Sequence, residues 1–119
     1  MKGLIKSFME SLRKNEDFRA CYRSGKSCAN RYLAVYVLSN GQKGNRIGIS
    51  VSKKVGNSVV RHRIKRLIKE SYRLHEHEIK AQSGGGSDIV VIGRRSADGA
   101  SYYEIERALL SLLNKSGLL

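Results

Sequence analysis

Apolar and polar positions recur along this chain with two different periods, and the change of period marks out its elements. Val60, Ile64, Leu67, Ile68, Ser71 and Leu74 stand three and four residues apart. That is one face of a 3.6-residue period, an arc of roughly 120° at about 100° per residue. The spacing predicts a long helix from Ser58, reaching as far as Ile79. Asn57 or Ser58 can cap it, because a short polar side chain accepts a hydrogen bond from a free N–H of the first turn. Upstream the period falls to two. Over Ser27–Leu38, the residues Tyr32, Ala34 and Tyr36 alternate with Leu33, Val35 and Val37, as in extended chain with opposite faces. This stretch reads as one bent strand or as two. Over Arg46–Ser52, the apolar Ile47, Ile49 and Val51 alternate with Arg46, Gly48, Ser50 and Ser52.

The remaining elements follow from local cues. Asn15–Ser24 reads as a short helix with Phe18, Cys21 and Tyr22 on one face, and Gly25 stands where a helix ends. Ser39-Asn40-Gly41 is a turn signal. Gln42 onward leads to the second alternating run. Gln82–Ser87 is a Gly/Ser connector too short to divide two domains. Ile89–Ile92 is a continuous apolar run, as in a strand covered on both faces. Ser101 and Glu104 have capping-box spacing. After them Ile105, Ala108, Leu109, Leu112 and Leu113 form an apolar stripe, with Gly117 as its stop. Leu4, Ile5, Phe8, Met9 and Leu12 also have helical spacing, which suggests a helical extension at the start. Helix, strands, helix, strand, helix implies a single α/β domain over residues 1–119, with 1–11 as an extension. If the two alternating strands pair, their aliphatic faces meet the long helix. Their other faces set Tyr32 and Tyr36 beside Ala34, Gly48 and Ser50: either ordinary core aromatics, or a shallow trough with Phe18 and Tyr22 as its wall.

Charge changes this picture most. The 119 residues carry 23 Lys and Arg against 10 Asp and Glu, a formal net charge of +13. Eight of those cations lie between Lys53 and Arg73, with Glu70 as the one acid among them. Lys65, Arg66, Lys69, Arg73 and His62 fall opposite the apolar stripe of the long helix, and Arg61 and Arg63 flank it. Like charges three and four apart oppose helix formation, so a polyanion is the natural compensating partner. A solvated cationic face is the plainer alternative. No apolar run is long enough to span a bilayer, and no secretory signal is evident. The expected compartment is therefore the cytoplasm. Cys21 and Cys28 form no ligand or redox motif and read as packing residues.

Catalytic chemistry is not visible. His75 and His77 are two apart and face different ways on a helix, and His62 stands among cations. Gly84-Gly85-Gly86 lacks the Lys-Ser/Thr of a phosphate-binding loop. The ten carboxylates suggest no acid/base pair. No catalytic residue and no metal ligand is expected in the chain.

Val51-Ser52-Lys53-Lys54-Val55-Gly56-Asn57-Ser58-Val59-Val60-Arg61-His62-Arg63-Ile64-Lys65-Arg66-Leu67 closely resembles the signature of the bacterial ribonuclease P protein subunit. Leu12-Arg13-Lys14-Asn15-Glu16-Asp17-Phe18 and Ala29-Asn30-Arg31 resemble that family's N-terminal motifs. The likeness runs from about Leu12 to Leu113, in the family's order of elements. It implies a two-layer α+β sandwich with a four-stranded mixed sheet and three helices. The arrangement is ribosomal protein S5 domain 2-like, with a left-handed βαβ crossover against the usual hand. It implies that an RNA subunit carries catalysis with magnesium ions, cutting the 5′ leader from precursor tRNA, while the protein assists. By resemblance, the surface toward the RNA subunit is Lys53, Lys54, Asn57, Arg61, His62, Arg63, Lys65, Arg66 and Lys69. The leader cleft is by resemblance Phe18, Tyr22, Ala34, Tyr36 and Arg95, to which the small face of the second strand adds Gly48 and Ser50. The family usually reads Arg-Asn-Arg where this chain has His62 in the middle. Imidazole keeps a donor and an acceptor, but it cannot repeat an amide contact.

The rival readings differ in partner. A ribosomal-protein-like module would bind ribosomal RNA and leave tRNA processing untouched. A DNA-binding protein would lay the long helix in a major groove, yet no dimerisation heptads or paired short helices accompany it. A membrane-surface role would need the apolar stripe free, and the core claims it. The expected partners are accordingly the RNA subunit and leader-bearing precursor tRNA, not DNA or membrane.

Overall fold

The computed structural model describes residues 10–79 and 85–119. Five strands form one mixed sheet: β1 (Glu10–Ser11), β2 (Lys26–Ala29), β3 (Leu33–Ser39), β4 (Arg46–Val51) and β5 (Ser87–Gly93). Four are full strands and β1 is a two-residue edge piece. Their order is β1-β4-β5-β3-β2. β5 runs parallel to β4 and antiparallel to β3, and β2 is antiparallel to β3. Helices α2 (Ser58–His75) and α3 (Tyr102–Lys115) pack on one face, and α1 (Asn15–Ser24) packs on the other. This is the expected α+β sandwich of three helices on a four-stranded mixed sheet, with one short strand added.

The two alternating segments do not pair directly. β5 lies between them, and the loop 40–45 carries the chain across its end. The expected faces survive, because β5 continues the same alternation. Leu33, Val35, Val37, Ile47, Val51, Ile89 and Val91 meet α2 and α3 in the main core. The reverse face has a smaller core of Leu12, Cys21 and Val90, with Phe18, Tyr36, Leu38 and Ile92 partly buried around it. The stretch before β3 resolves into two strands rather than one bent one. Asn30 makes the break: its Oδ1 accepts from the N–H groups of Tyr32 (3.2 Å) and Leu33 (3.0 Å), and its Nδ2 donates to the Ala108 carbonyl (3.0 Å).

Asn57 caps α2 by accepting from Val60 N–H at 3.0 Å. Ile64, Leu67, Ile68, Ser71 and Tyr72 are buried, whereas Leu74 is 56% exposed. The stripe thus turns toward Tyr72 and away from Leu74. On a 100° helix these two lie symmetrically about Ile64, at about +80° and −80°, so spacing alone could not choose between them. Burial raises the Tyr72 phenol to about 12. The long helix stops at His75 and passes into a 3-10 turn, Glu76–Glu78, short of Ile79. Ser101 and Glu104 form the expected capping box on α3. Gly117, at φ +79°, ends it with bonds from Gly117 N–H to Asn114 O and from Leu118 N–H to Leu113 O. This pattern needs a left-handed residue that glycine adopts without steric cost. Of the expected N-terminal helix, residues 1–9 lie outside the described residues. Glu10 and Ser11 are strand, and Leu12 is buried in the smaller core. The connector at 82–84 also lies outside the description.

Candidate nucleic-acid interface

The surface that matters is built on β4. On its buried side, α2 crosses the sheet and holds its cations outward. Lys53, Lys54 and Asn57 precede or cap the helix and are exposed, as are His62, Lys65, Arg66 and Lys69. Arg61 and Arg63 are half-buried and engaged with backbone. Arg61 Nε donates to Gly56 O at 3.2 Å, and Arg63 Nη2 donates to Ala100 O at 2.9 Å. Arg63 therefore ties α2 to the turn before α3, and its guanidinium keeps donors to spare. Arg66 lies 3.8 Å from Glu70, an exposed pair one turn apart. Such a pair contributes little and leaves the face strongly positive.

On the other side, α1 covers only part of the sheet. Register sorts that face into rows. Leu38, Asp88 and Arg46 form one, Tyr36, Val90 and Gly48 the next, and Ala34, Ile92 and Ser50 the last. The first two rows lie under α1. Phe18 sits directly above Gly48, where an added Cβ would stand 2.5 Å from Phe18 Cζ and 3.2 Å from Leu12 Cβ. Gly48 is therefore buried beneath an aromatic ring and is not open trough floor. The last row is uncovered, and all three of its residues are half-buried. Ile92 thus departs from the full cover expected along β5. Tyr22 and Tyr36 border the row, ring edge to ring face, with centroids 5.1 Å apart. Tyr22 is 41% exposed. The groove beside them holds about 420 Å³ and is lined by Phe18, Arg19, Tyr22, Ser50 and Lys65, among others. Arg95 is exposed in the turn just beyond β5.

Tyr32 does not join this groove. It stands in the β2–β3 turn and packs against the main core, its hydroxyl donating to Glu104 Oε2 at 2.7 Å. That bond raises the phenol's pKa. Glu104 is lowered first by its bond from the Ser101 backbone and then by Tyr32. Arg31 lies over the Tyr32 ring at 5.2 Å.

Two arrangements escape the one-dimensional pattern. Asp88 is 5% exposed and receives both Arg46 Nε (2.8 Å) and Arg46 Nη2 (2.7 Å), with Asn40 Nδ2 at 3.0 Å. This bidentate clamp joins β4 to β5 under α1. Its members lie 42 residues apart, and only the acid at the head of an apolar run hinted at it. The second is His75, which bridges Glu78 and Glu106 at 2.8 Å each. The Glu106 bond foremost raises the imidazole's pKa. Cys21 is buried, with its thiol pushed up to about 11 by desolvation and then by Asp88. It is a packing group, as its position in the smaller core requires.

Fold and surface together define a class: a small, strongly basic α+β domain that sets a row of cations beside an aromatic groove. The family described as Ribonuclease P matches residues 8–117, and the chain belongs to the family of ribonuclease P protein components. It is 52% identical over 108 residues to the Ribonuclease P protein component of Alkaliphilus oremlandii, covering 91% of each chain. With that of Clostridium kluyveri it shares 50% over 107 residues, covering 90% of this chain and 94% of the relative. The solved RNase P protein of Staphylococcus aureus superposes with a TM-score of 0.81 at 38% identity, over 91% of this chain and 95% of that one. The Thermotoga maritima protein gives 0.78 at 33%, over 89% and 96%. Among the described residues, no helix is long and apolar enough to cross a membrane.

Proposed function

We propose that this chain is the RNA-binding subunit of a ribonuclease P. In this reading it assists a catalytic RNA in the endonucleolytic removal of the 5′ leader from precursor tRNA. The protein contributes two surfaces. Arg61, Arg63 and Arg66 of α2, with Lys53, Lys54 and Asn57 before or at its start, hold the RNA subunit, where releasing counterions from phosphates supplies the affinity. The groove between α1 and the sheet holds the single-stranded leader. Flat Tyr22 and Tyr36 and half-buried Phe18 accept any base, since every base offers a π-face for stacking. The low row of Ala34, Ile92 and Ser50 leaves room for it. Arg95 adds attraction for leader phosphates. Because leader contacts vanish once the leader is cut, the groove favours substrate over product.

The observation that carries this reading is the half-buried row of Ala34, Ile92 and Ser50 beside two tyrosines, next to a cationic helix that the sheet holds in place. Among the described residues, no site fits the magnesium that the RNA-based holoenzyme requires: no three His, Cys, Asp or Glu side chains gather to hold a metal ion, and Lys65 and Arg19 line the groove. We assign the metal chemistry to the RNA subunit and its setting to the cytoplasm. The test is reconstitution: the protein, its cognate RNA subunit and a precursor tRNA at low magnesium. Leader removal that depends on the protein is expected. No stimulation, together with tight binding to ribosomal RNA, would replace this reading with a ribosomal-protein-like one.

A further inference from the structure

Among the described residues, no strand pairs with the edge of β4 beyond Ile47. β1 pairs only with Arg46 and Ile47, and Leu12 N–H donates to the Ile47 carbonyl at 2.8 Å. A strand residue turns its N–H and C=O to the same side, so those of Ile49 point outward past the end of β1. Two grooves meet at this edge. One is the aromatic groove under α1. The other, about 360 Å³, lies between β4 and α2, with Leu12 and Phe18 on one lip and His62, Lys65, Arg66 and Lys69 on the opposite wall. Phe18, Ile49 and Lys65 line both.

The cationic wall is one stripe of α2. Residues 62, 65, 66 and 69 cover an arc of roughly 100° beside β4. Arg63 lies on the α3 side, bonded to Ala100. The helix therefore carries cations toward two different places. A chain leaving the aromatic groove past Ser50 meets Lys65 first and Lys69 beyond it. An apolar lip facing ammonium groups suits a nucleotide, with its base on the lip and its phosphate on the lysines.

We propose that a single-stranded RNA leader bound at Tyr22 and Tyr36 turns around the free edge of β4 and continues in the β4–α2 groove. Lys65 stands at the crossing and Lys69 on the far side. The two lysines then set leader affinity and are not part of the RNA-subunit contact. This rests on the leader-binding reading above.

The test uses the reconstituted holoenzyme and three ligands: mature tRNA, precursor with a dinucleotide leader, and precursor with a leader several nucleotides long. Lys65→Ala and Lys69→Ala are compared with wild type and with Tyr22→Ala. Both lysines are exposed, and alanine is the better helix former, so the fold is retained; a thermal melt verifies this. Lys69→Ala is expected to weaken the long-leader precursor several-fold, leaving the dinucleotide precursor, mature tRNA and RNA-subunit affinity unchanged. The salt slope for the long leader should become shallower by about 0.7, the single-strand value per phosphate contact. Equal losses on all three ligands, or a loss of RNA-subunit affinity, overturn the proposal. So does an unchanged long-leader affinity while Tyr22→Ala still lowers it, and in that case the leader groove itself stands. If wild type shows no leader-dependent preference, the leader reading fails and this inference with it.

Discussion

Gly48→Ala puts a methyl group where the structure has none to spare. The new carbon would stand 2.5 Å and 2.7 Å from two ring atoms of Phe18 and 3.2 Å from Leu12 Cβ. Carbon atoms pack best at about 3.5–4.0 Å, so the ring must retreat by about 1 Å or more. Phe18 can do this, because its ring is the far end of a half-buried side chain. Leu12 Cβ cannot move without the backbone of the small core. Overpacking of this kind costs typically 1–3 kcal/mol. The Phe18 ring can give way but Leu12 Cβ cannot, which places Gly48→Ala near the middle of that range, about 2 kcal/mol, less what alanine regains over glycine in a strand, about 0.5–1 kcal/mol. The net expectation is a loss of about 1 kcal/mol, or about 4–6 °C in Tm for a chain of this size. The displaced ring also swings over the groove, so precursor tRNA affinity should fall while RNA-subunit affinity holds. The assay is a thermal melt with paired binding measurements, run as a cycle with Phe18→Leu. Shortening Phe18 should remove most of the cost of Gly48→Ala. A stabilising Gly48→Ala, or costs that simply add in the double variant, would refute the placement of Phe18 over Gly48.

Other perturbations act on the contacts described above. Arg63→Ala should lose about 1 kcal/mol in a denaturant melt, because the bond to the Ala100 carbonyl goes. It should also make the salt slope of RNA-subunit binding shallower by about 0.9 if the guanidinium meets a duplex phosphate. Asp88→Ala leaves the partly buried Arg46 without its bidentate partner and should cost about 3 kcal/mol, read as a lower urea midpoint. The His75 imidazole is raised above its ordinary 6.5 by Glu106 and Glu78. A raised folded value means its stabilisation is full below about pH 6.5 and fades as pH rises through the folded value. The Tm gap between wild type and His75→Ala should therefore be widest in mild acid and narrow in alkali. A gap independent of pH would show that the bridge acts as a neutral hydrogen bond.

What could be read from one dimension was what repeats locally. The 3.6 period of α2, its Asn57 cap and the Ser101–Glu104 box are short-range patterns, and each stands where it was expected. Alternation told which residues of β3 and β4 share a face. It carried no information on which strands are neighbours, so the insertion of β5 between them was invisible. The Arg46–Asp88 clamp depends on that insertion and was hidden with it. Tyr32 continues the alternation of β3 in sequence, yet Asn30 bends the chain there and hands the ring to α3. Gly48 and Ser50 looked equivalent as small residues on one face. Only the placement of α1 covers the first with Phe18 and leaves the second open.

The central claim is that the aromatic groove distinguishes precursor from mature tRNA. Tyr22→Ala tests it most cleanly, since Tyr22 is 41% exposed and its removal leaves both cores intact. The measurement is the pair of dissociation constants of the reconstituted holoenzyme for tRNA with and without a leader of several nucleotides. One lost stacking contact is worth about 1–3 kcal/mol. Precursor affinity should therefore fall about tenfold, roughly 1.4 kcal/mol, with mature tRNA and RNA-subunit affinities unmoved. Equal losses for both tRNAs would place Tyr22 outside the leader's path and contradict the assignment of this groove.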